Sequence, residues 1–236
     1  MSGLIAQLPV KAGRLAWRAL SYQLAPLIGR RSRFGIHPGY THRPTISYFD
    51  DTENTDNWQR EVYECARDVM RRESLATVHD VGCGSGYKLV HLLSEFETTG
   101  IDLPDTIKEV ARRYPDRNWI AGSFEEIDVP PADLVICSDV IEHVADPDAL
   151  IRFIVRSSKS RVVLSTPDRD LVYGWRNRHR FGPPENPAHV REWNMPEFAG
   201  FVSRFLDVEK HFISNREQAT QCIVARKHSS PSAAGV

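Results

Sequence analysis

Three observations predict an α/β fold, with a mostly parallel seven-stranded sheet, helices on both faces and an antiparallel C-terminal strand. Short apolar, β-prone runs alternate with helical patterns from residue 76 to 167, the signature of a parallel sheet wound by crossover helices. Two closing β-rich runs are joined only by "NREQ", too short for a helical crossover, so they pair as an antiparallel hairpin. The 236 residues, 41% hydrophobic and 26% charged, are enough for one substantial domain with a buried core.

Taken in order, residues 10 to 28, "VKAGRLAWRALSYQLAPLI", read as an amphipathic helix, with Lys11, Arg14 and Arg18 on one face and Leu20, Leu24 and Leu27 on another. Pro9 suits its start and Gly29 its end. The segment "RRSRFGIHPGYTHRPT" is turn-rich and irregular. A helix over 56–73 follows, with Asp56 as N-cap and Trp58, Val62, Cys65, Ala66 and Val69 as its buried face. Strands are expected at 76–81, 98–103, 118–123, 132–139 and 161–167. Helices are expected from Tyr87 to Glu95, over "DTIKEVARRY", and from Pro147 through "DALIRFIVRSS". After a long polar stretch, Asn194 and Pro196 open the helix "MPEFAGFVSRF". The runs "LDVEKHFIS" and "QATQCIVARK" close the sheet, and the tail "HSSPSAAGV" is expected to be disordered. The chain therefore divides into a basic helix and irregular segment at 1–50, the α/β domain at 51–228 and the tail at 229–236.

Net charge is −1, which points to no polyanionic partner, but the charge is unevenly placed. No acidic residue precedes Asp50, while Lys11, Arg14, Arg18, Arg30, Arg31, Arg33 and Arg43 are cationic, leaving about −8 on the rest. Cys65, Cys83, Cys137 and Cys222 form no CxxC pair. A disulfide framework and a zinc knuckle lack support, and the expected setting is the cytoplasm. No apolar run approaches the roughly 18 residues of a membrane span, and Lys11, Arg14 and Arg18 interrupt any signal-peptide core.

"HDVGCGSGYK" carries the chemistry. A phosphate-binding loop would continue Gly-Lys-Ser/Thr, but Gly86 is followed by Tyr87 and Lys88. A dinucleotide fingerprint would be Gly-x-Gly-x-x-Gly, but position 87 is Tyr. What remains is Asp80 at a strand end leading into Gly82, Gly84 and Gly86. Glycines let the backbone approach a ligand closely, and the acid suits a cationic end. Asp102 ends the second strand, where a carboxylate accepts from both ribose hydroxyls. A nucleoside with a cationic, phosphate-free tail describes S-adenosylmethionine (SAM).

With these motifs in this order, residues 76 to 227 resemble the class I SAM-dependent methyltransferases, of Rossmann-like fold. The resemblance implies that Asp80, Gly82 and Gly84 contact the methionine part, with Gly86 in the same cofactor-binding loop, that Asp102 holds the ribose, and that Leu103, Ser123 and Phe124 flank the adenine. Ser138 would line the methionine pocket. Many relatives have Asp where this chain has Ser123. "SDVIEHVADPD", ending the fourth strand, and "ENPAHVREW" resemble the layout of ubiquinone-type O-methyltransferases and small-RNA 2′-O-methyltransferases. There, acids and histidines hold a divalent metal. The corresponding set is Asp139, Glu142, His143 and His189, with Mg²⁺ or Mn²⁺ as the ion. On a helical turn, the spacing of Asp139, Glu142 and His143 would set them on one face.

The donor in methyl transfer needs no activation, but an alcohol acceptor must lose its proton as the new bond forms. His143, Glu142 and His189 are the catalytic candidates, with His143 as base, or with a metal lowering the hydroxyl pKa. The same Glu-His pair also shapes pockets in methyltransferases that use no metal. In the loop "DRDLVYGWRNRHRFGPPENPAHVREW", Arg176, Arg178, His179 and Arg180 could bind an anionic acceptor or form a solvated basic surface. The expected function is O-methylation of a small molecule or saccharide. RNA 2′-O-methylation is disfavoured by the net charge and the lack of an added RNA-binding module. A non-catalytic SAM-binding protein is the third reading. The N-terminal helix suits either a lid over the site, which Gly13 and Pro26 favour, or peripheral contact with a membrane surface.

Overall fold

The computed structural model describes residues 34–45, 52–55 and 57–228, together with six positions between 13 and 24. Helix α1 spans Arg60–Glu73, strand β1 Thr77–Val81, α2 Tyr87–Leu92, β2 Glu97–Asp102 and α3 Pro104–Arg113. Next come β3 Asn118–Ala121, β4 Ala132–Ser138, α4 Pro147–Arg156, β5 Ser158–Pro167 and α5 Arg169–Tyr173. A 3₁₀ turn at Arg178–Phe181, α6 at Met195–Val202, β6 at Leu206–Asn215 and β7 at Thr220–Lys227 complete the order. The seven strands form one sheet, β3-β2-β1-β4-β5-β7-β6. β1 to β5 run parallel, and β7 is antiparallel to both β5 and β6. Strand order reverses between β1 and β4, and the crevice beyond the carboxyl ends of those strands is where such sheets place ligands.

Each face buries its own core. Val78, Leu134, Ile136, Val163 and Val224 pack beneath α1 and α2. On the opposite face, Val81, Ile101, Val135, Cys137, Val162 and Leu164 meet α4, α6 and two residues of the N-terminal segment, Ile36 and Tyr40. Central β5 has Val162, Val163 and Leu164 all fully buried, which is why it reads as a continuous apolar run. Each fully buried Val, Leu or Phe side chain contributes roughly 1.5–3 kcal/mol. Helix starts follow local chemistry: the Asp146 side chain accepts from Asp148 N and Ala149 N, with Pro147 opening α4. Asn194 and Glu197 form a reciprocal capping box at α6.

Several expected boundaries move. α1 begins at Arg60, behind a left-handed Gln59 with no side-chain cap, and Trp58 is 54% exposed rather than buried. The expected cap, Asp56, lies outside the described residues. α2 stops at Leu92. α4 stops at Arg156 because Ser157 Oγ donates to Phe153 O at 2.6 Å and the chain turns at once into β5. The polar stretch after β5 is not wholly irregular: Asp168 caps α5 through Asp170 N at 2.7 Å. The six described positions between 13 and 24 are helical. Lys11, Arg14, Arg18, Leu27 and the tail at 229–236 lie outside the described residues.

Candidate functional site

The glycine loop leaves β1 directly. Gly82 and Gly86 have φ of +76° and +67°, a region that L side chains rarely adopt. A Cβ on Gly82 would collide with Val140 Cγ2, and one on Gly86 would lie 2.6 Å from the Trp119 ring. Asp80 is fully buried, its Oδ2 accepting from Tyr63 OH at 2.8 Å. Asp102 Oδ2 accepts from Gly84 N at 2.9 Å and its Oδ1 from Leu103 N at 2.7 Å. The carboxylate thereby ties the loop to the end of β2. Burial raises the Asp102 pKa against the lowering effect of those bonds. Leu103 is 43% exposed, and Ser123 and Phe124 are half-buried in the turn after β3. Gly122 N donates to Asp102 O at 2.9 Å, holding that turn beside β2. Ser138 Oγ lies 2.9 Å from Ser165 Oγ. The structure thus gathers Asp80, Gly82, Gly84, Gly86, Asp102, Leu103, Ser123, Phe124 and Ser138 at the carboxyl ends of β1 to β4.

Across the crevice, residues 139–143 form a turn rather than the helical turn considered above, with Asp139 at φ +53°. This redirects Asp139, whose Oδ1 accepts from Ser165 Oγ at 2.5 Å and Oδ2 from Gln59 Nε2 at 3.1 Å. Glu142, His143 and His189 converge, with ligating atoms within 4.8 Å of one another, and Asp139 stands outside that group. Glu142 is buried; its Oε2 accepts from Thr166 Oγ1 at 3.0 Å, while Oε1 has no hydrogen-bond partner and lies 4.0 Å from His143 Nε2. Burial, reinforced by the Asp139 charge, pushes the Glu142 pKa well above the usual carboxylate range.

His143 Nδ1 lies 3.0 Å from Ala188 O. A carbonyl only accepts, so Nδ1 carries the proton and Nε2 keeps its lone pair toward Glu142. Burial, then the neighbouring His189, lowers the His143 pKa to about 4. The ring is therefore neutral at pH 7. His189 enters from the loop between α5 and α6, its ring edge-on to His143 with centroids 4.7 Å apart. Val190 N donates to Glu142 O at 2.8 Å, fastening that loop to the turn after β4.

The rest of the loop is engaged locally. Arg180 pairs with Asp170 at 3.2 Å, Arg176 stacks on exposed Trp175 at 4.4 Å, and His179 Nδ1 lies 2.9 Å from Pro183 O. Arg176 and Arg178 are exposed. Several residues with no motif of their own complete the site's frame. Arg43 donates to His189 O at 3.2 Å and to Pro184 O, and Tyr40 OH accepts from Glu192 N at 3.0 Å. Gln59 reaches Asp139, and Thr166 holds Glu142. Sequence spacing offers a signal only for Glu192, three residues after His189.

Residues 54–212 match a family model described as "Methyltransferase domain". The chain is 27% identical over 157 residues to the ubiquinone biosynthesis O-methyltransferase of Rickettsia conorii, covering 57% of this chain and 53% of that one. It is 34% identical over 120 residues to the Pseudomonas paraeruginosa enzyme of the same name, covering 43% and 50%. The chain spans about half the length of the curated relatives it matches. Among solved structures it resembles the methyltransferase domain of bacterial CtHen1-C, with TM-score 0.59, 20% identity, and 73% of this chain and all of that one covered. It also resembles the magnesium protoporphyrin IX methyltransferase of Synechocystis PCC 6803 with bound SAH, with TM-score 0.57, 15% identity, and 72% and 84% covered. At these identities the structural likeness shows the fold.

Proposed function

The chain belongs to the methyltransferase domain family and has the class I SAM-dependent fold, and on that premise we propose that it methylates a hydroxyl of a small molecule or saccharide. One observation carries the reading: neutral His143 presents its Nε2 lone pair beside buried Glu142, across the crevice from the glycine loop. An in-line transfer to oxygen needs a group that takes the hydroxyl proton, and the neutral His143 ring supports giving it that role. The curated relatives are named O-methyltransferases, which supports oxygen as the accepting atom.

In this reading Asp102 accepts from the ribose hydroxyls. Gly82, Gly84 and Gly86 admit the methionine part against bare backbone, with Asp80 buried beneath them. Leu103, Ser123 and Phe124 flank the adenine, and Ser138 lines the methionine side. A divalent cation, Mg²⁺ or Mn²⁺, also fits, because buried Glu142 Oε1 lacks a partner and two imidazoles lie beside it. Glu142, His143 and His189 would hold it, and when bound it would lower the pKa of the acceptor hydroxyl. Imidazole ligation favours Mn²⁺ over Mg²⁺.

Trp17, Leu20 and Leu24 follow one another at helical spacing and are 64%, 50% and 36% exposed. Together with the purely cationic first 49 residues, this supports peripheral contact with an anionic membrane surface. A cytoplasmic setting is proposed on the four cysteines, which are far apart in sequence and form no CxxC pair. No helix among the described residues is long and apolar enough to cross a membrane.

Release of S-adenosylhomocysteine, measured over a panel of hydroxylated metabolites, saccharides and amines, tests the function. Turnover is expected with hydroxyl acceptors; if a cation takes part, turnover is lost on chelation while SAM still binds, and is restored better by Mn²⁺ than by Mg²⁺. Turnover confined to amines would contradict it. Full activity after exhaustive chelation would leave His143 as base without a cation.

A further inference from the structure

His189 sits between two side chains that together decide which of its nitrogens carries the proton. The Asn186 side chain is the first. Its Oδ1 accepts from Ala188 N at 3.0 Å, which fixes the amide's orientation and leaves Nδ2 3.0 Å from His189 Nε2. An amide nitrogen only donates, so His189 Nε2 accepts. His189 Nδ1 must then be the protonated nitrogen, and 2.6 Å from it lies Oε1 of Glu192, which a carboxylate offers only as an acceptor. Glu192 is 1% exposed. The backbone that carries it is clamped twice: Tyr40 OH accepts from Glu192 N at 3.0 Å, and Arg169 Nη1 donates to Glu192 O at 2.7 Å. Fully buried Arg169 is in turn held by Glu197 at 2.6 Å.

We propose that Glu192 is a positioning residue that locks His189 in the Nδ1–H tautomer, so that its Nε2 lone pair is the atom offered to the site. A buried carboxylate bound to the far nitrogen of a working imidazole fixes its tautomer and orientation and raises its donor strength. The Asn186 amide covers that lone pair until a ligand or acceptor group replaces it. The inference rests on the reading of His189 as a site residue, and its test separates the two.

Ring ¹⁵N shifts of His189, recorded on the full-length chain without added metal and assigned by comparison with His189→Asn, report the tautomer without any turnover. The wild-type chain and Glu192→Gln, which keeps an acceptor, are expected to show protonated Nδ1. Asn186→Ala removes the amide that also favours this tautomer and is expected to keep protonated Nδ1 through Glu192, whereas Asn186→Ala combined with Glu192→Ala is expected to shift His189 toward Nε2–H. Calorimetry with SAM on each variant verifies the fold, and affinity is expected to stay within about twofold. Turnover of Glu192→Ala should fall about 10- to 100-fold in kcat, with KM for SAM unchanged and much of the loss recovered by Gln. An unchanged tautomer in the double variant, or unchanged kcat in Glu192→Ala, would overturn the role of Glu192. Full turnover by His189→Asn would instead remove the reading of His189 on which the inference rests.

Discussion

Gly82 turns the chain out of β1 at φ +76° with Val140 directly behind it. A methyl group there meets two penalties: a left-handed backbone that costs an L-residue about 1–2 kcal/mol, and overpacking that typically costs about 1–3 kcal/mol. Gly82→Ala is therefore expected to lower both the thermal midpoint and SAM affinity. Adding Val140→Ala should recover part of each, because it removes the colliding methyl. A Gly82→Ala chain with wild-type affinity and midpoint would show that the loop is not built this way. The glycine was legible from its place after a strand. Val140 was not, because it comes to the loop from the turn after β4, and which strand neighbours β1 is a property of the sheet. The same holds for Asp139, whose spacing suggested a shared face with Glu142 and His143. A single left-handed φ at Asp139 sends its carboxylate to Ser165 and Gln59 instead.

Segment 34–45 shows what an irregular stretch contributes as an element. It has neither helical nor strand periodicity, yet Ile36, His37 and Tyr40 are buried, and Arg43 and His42 grip the loop that carries His189. His42 Nδ1 accepts from Arg191 Nε at 3.3 Å, and Arg191 also donates to Val144 O and Ala145 O in the turn after β4. Burial, then the Arg191 charge, lowers the His42 pKa to about 4. A histidine whose pKa is lower in the fold than in the unfolded chain contributes its full stability above about pH 6.5. That stability is lost as pH falls from about 6.5 toward 4, since the unfolded state binds the extra proton. Urea midpoints across this window should fall more steeply for the wild-type chain than for His42→Gln, by an equivalent of about 1–3 kcal/mol. Parallel slopes for the two chains would refute the clamp. Sequence reasoning located the α/β elements because apolar period and caps are local. It missed α5 and placed the start of α1 too early. Asp168 capped a helix inside a polar stretch, and Gln59 started α1 without any cap signal.

At the scale of the whole molecule, the sheet order places the glycine loop and the Glu142–His143 turn at the one point where the winding reverses. Motif order predicted this, since each motif followed a strand. Which loop residues would close the crevice depended on contacts across the chain, such as Val190 N to Glu142 O. Charge is also organised at this scale, with no acid before Asp50. Salt-sensitive co-sedimentation with anionic but not zwitterionic vesicles is expected, and deleting residues 1–33 should abolish it. Lost turnover on that deletion, with no vesicle binding by the intact chain, would assign the segment to a lid instead. Every proposed role of the site residues depends on the crevice holding SAM through Asp102. Calorimetric titration of SAM into the full-length chain and into Asp102→Ala tests this most directly. The wild-type chain is expected to bind, and the variant to lose about 1.5–3 kcal/mol, roughly ten- to a hundredfold. Equal affinity in the two chains, or no binding by the wild-type chain, would contradict it.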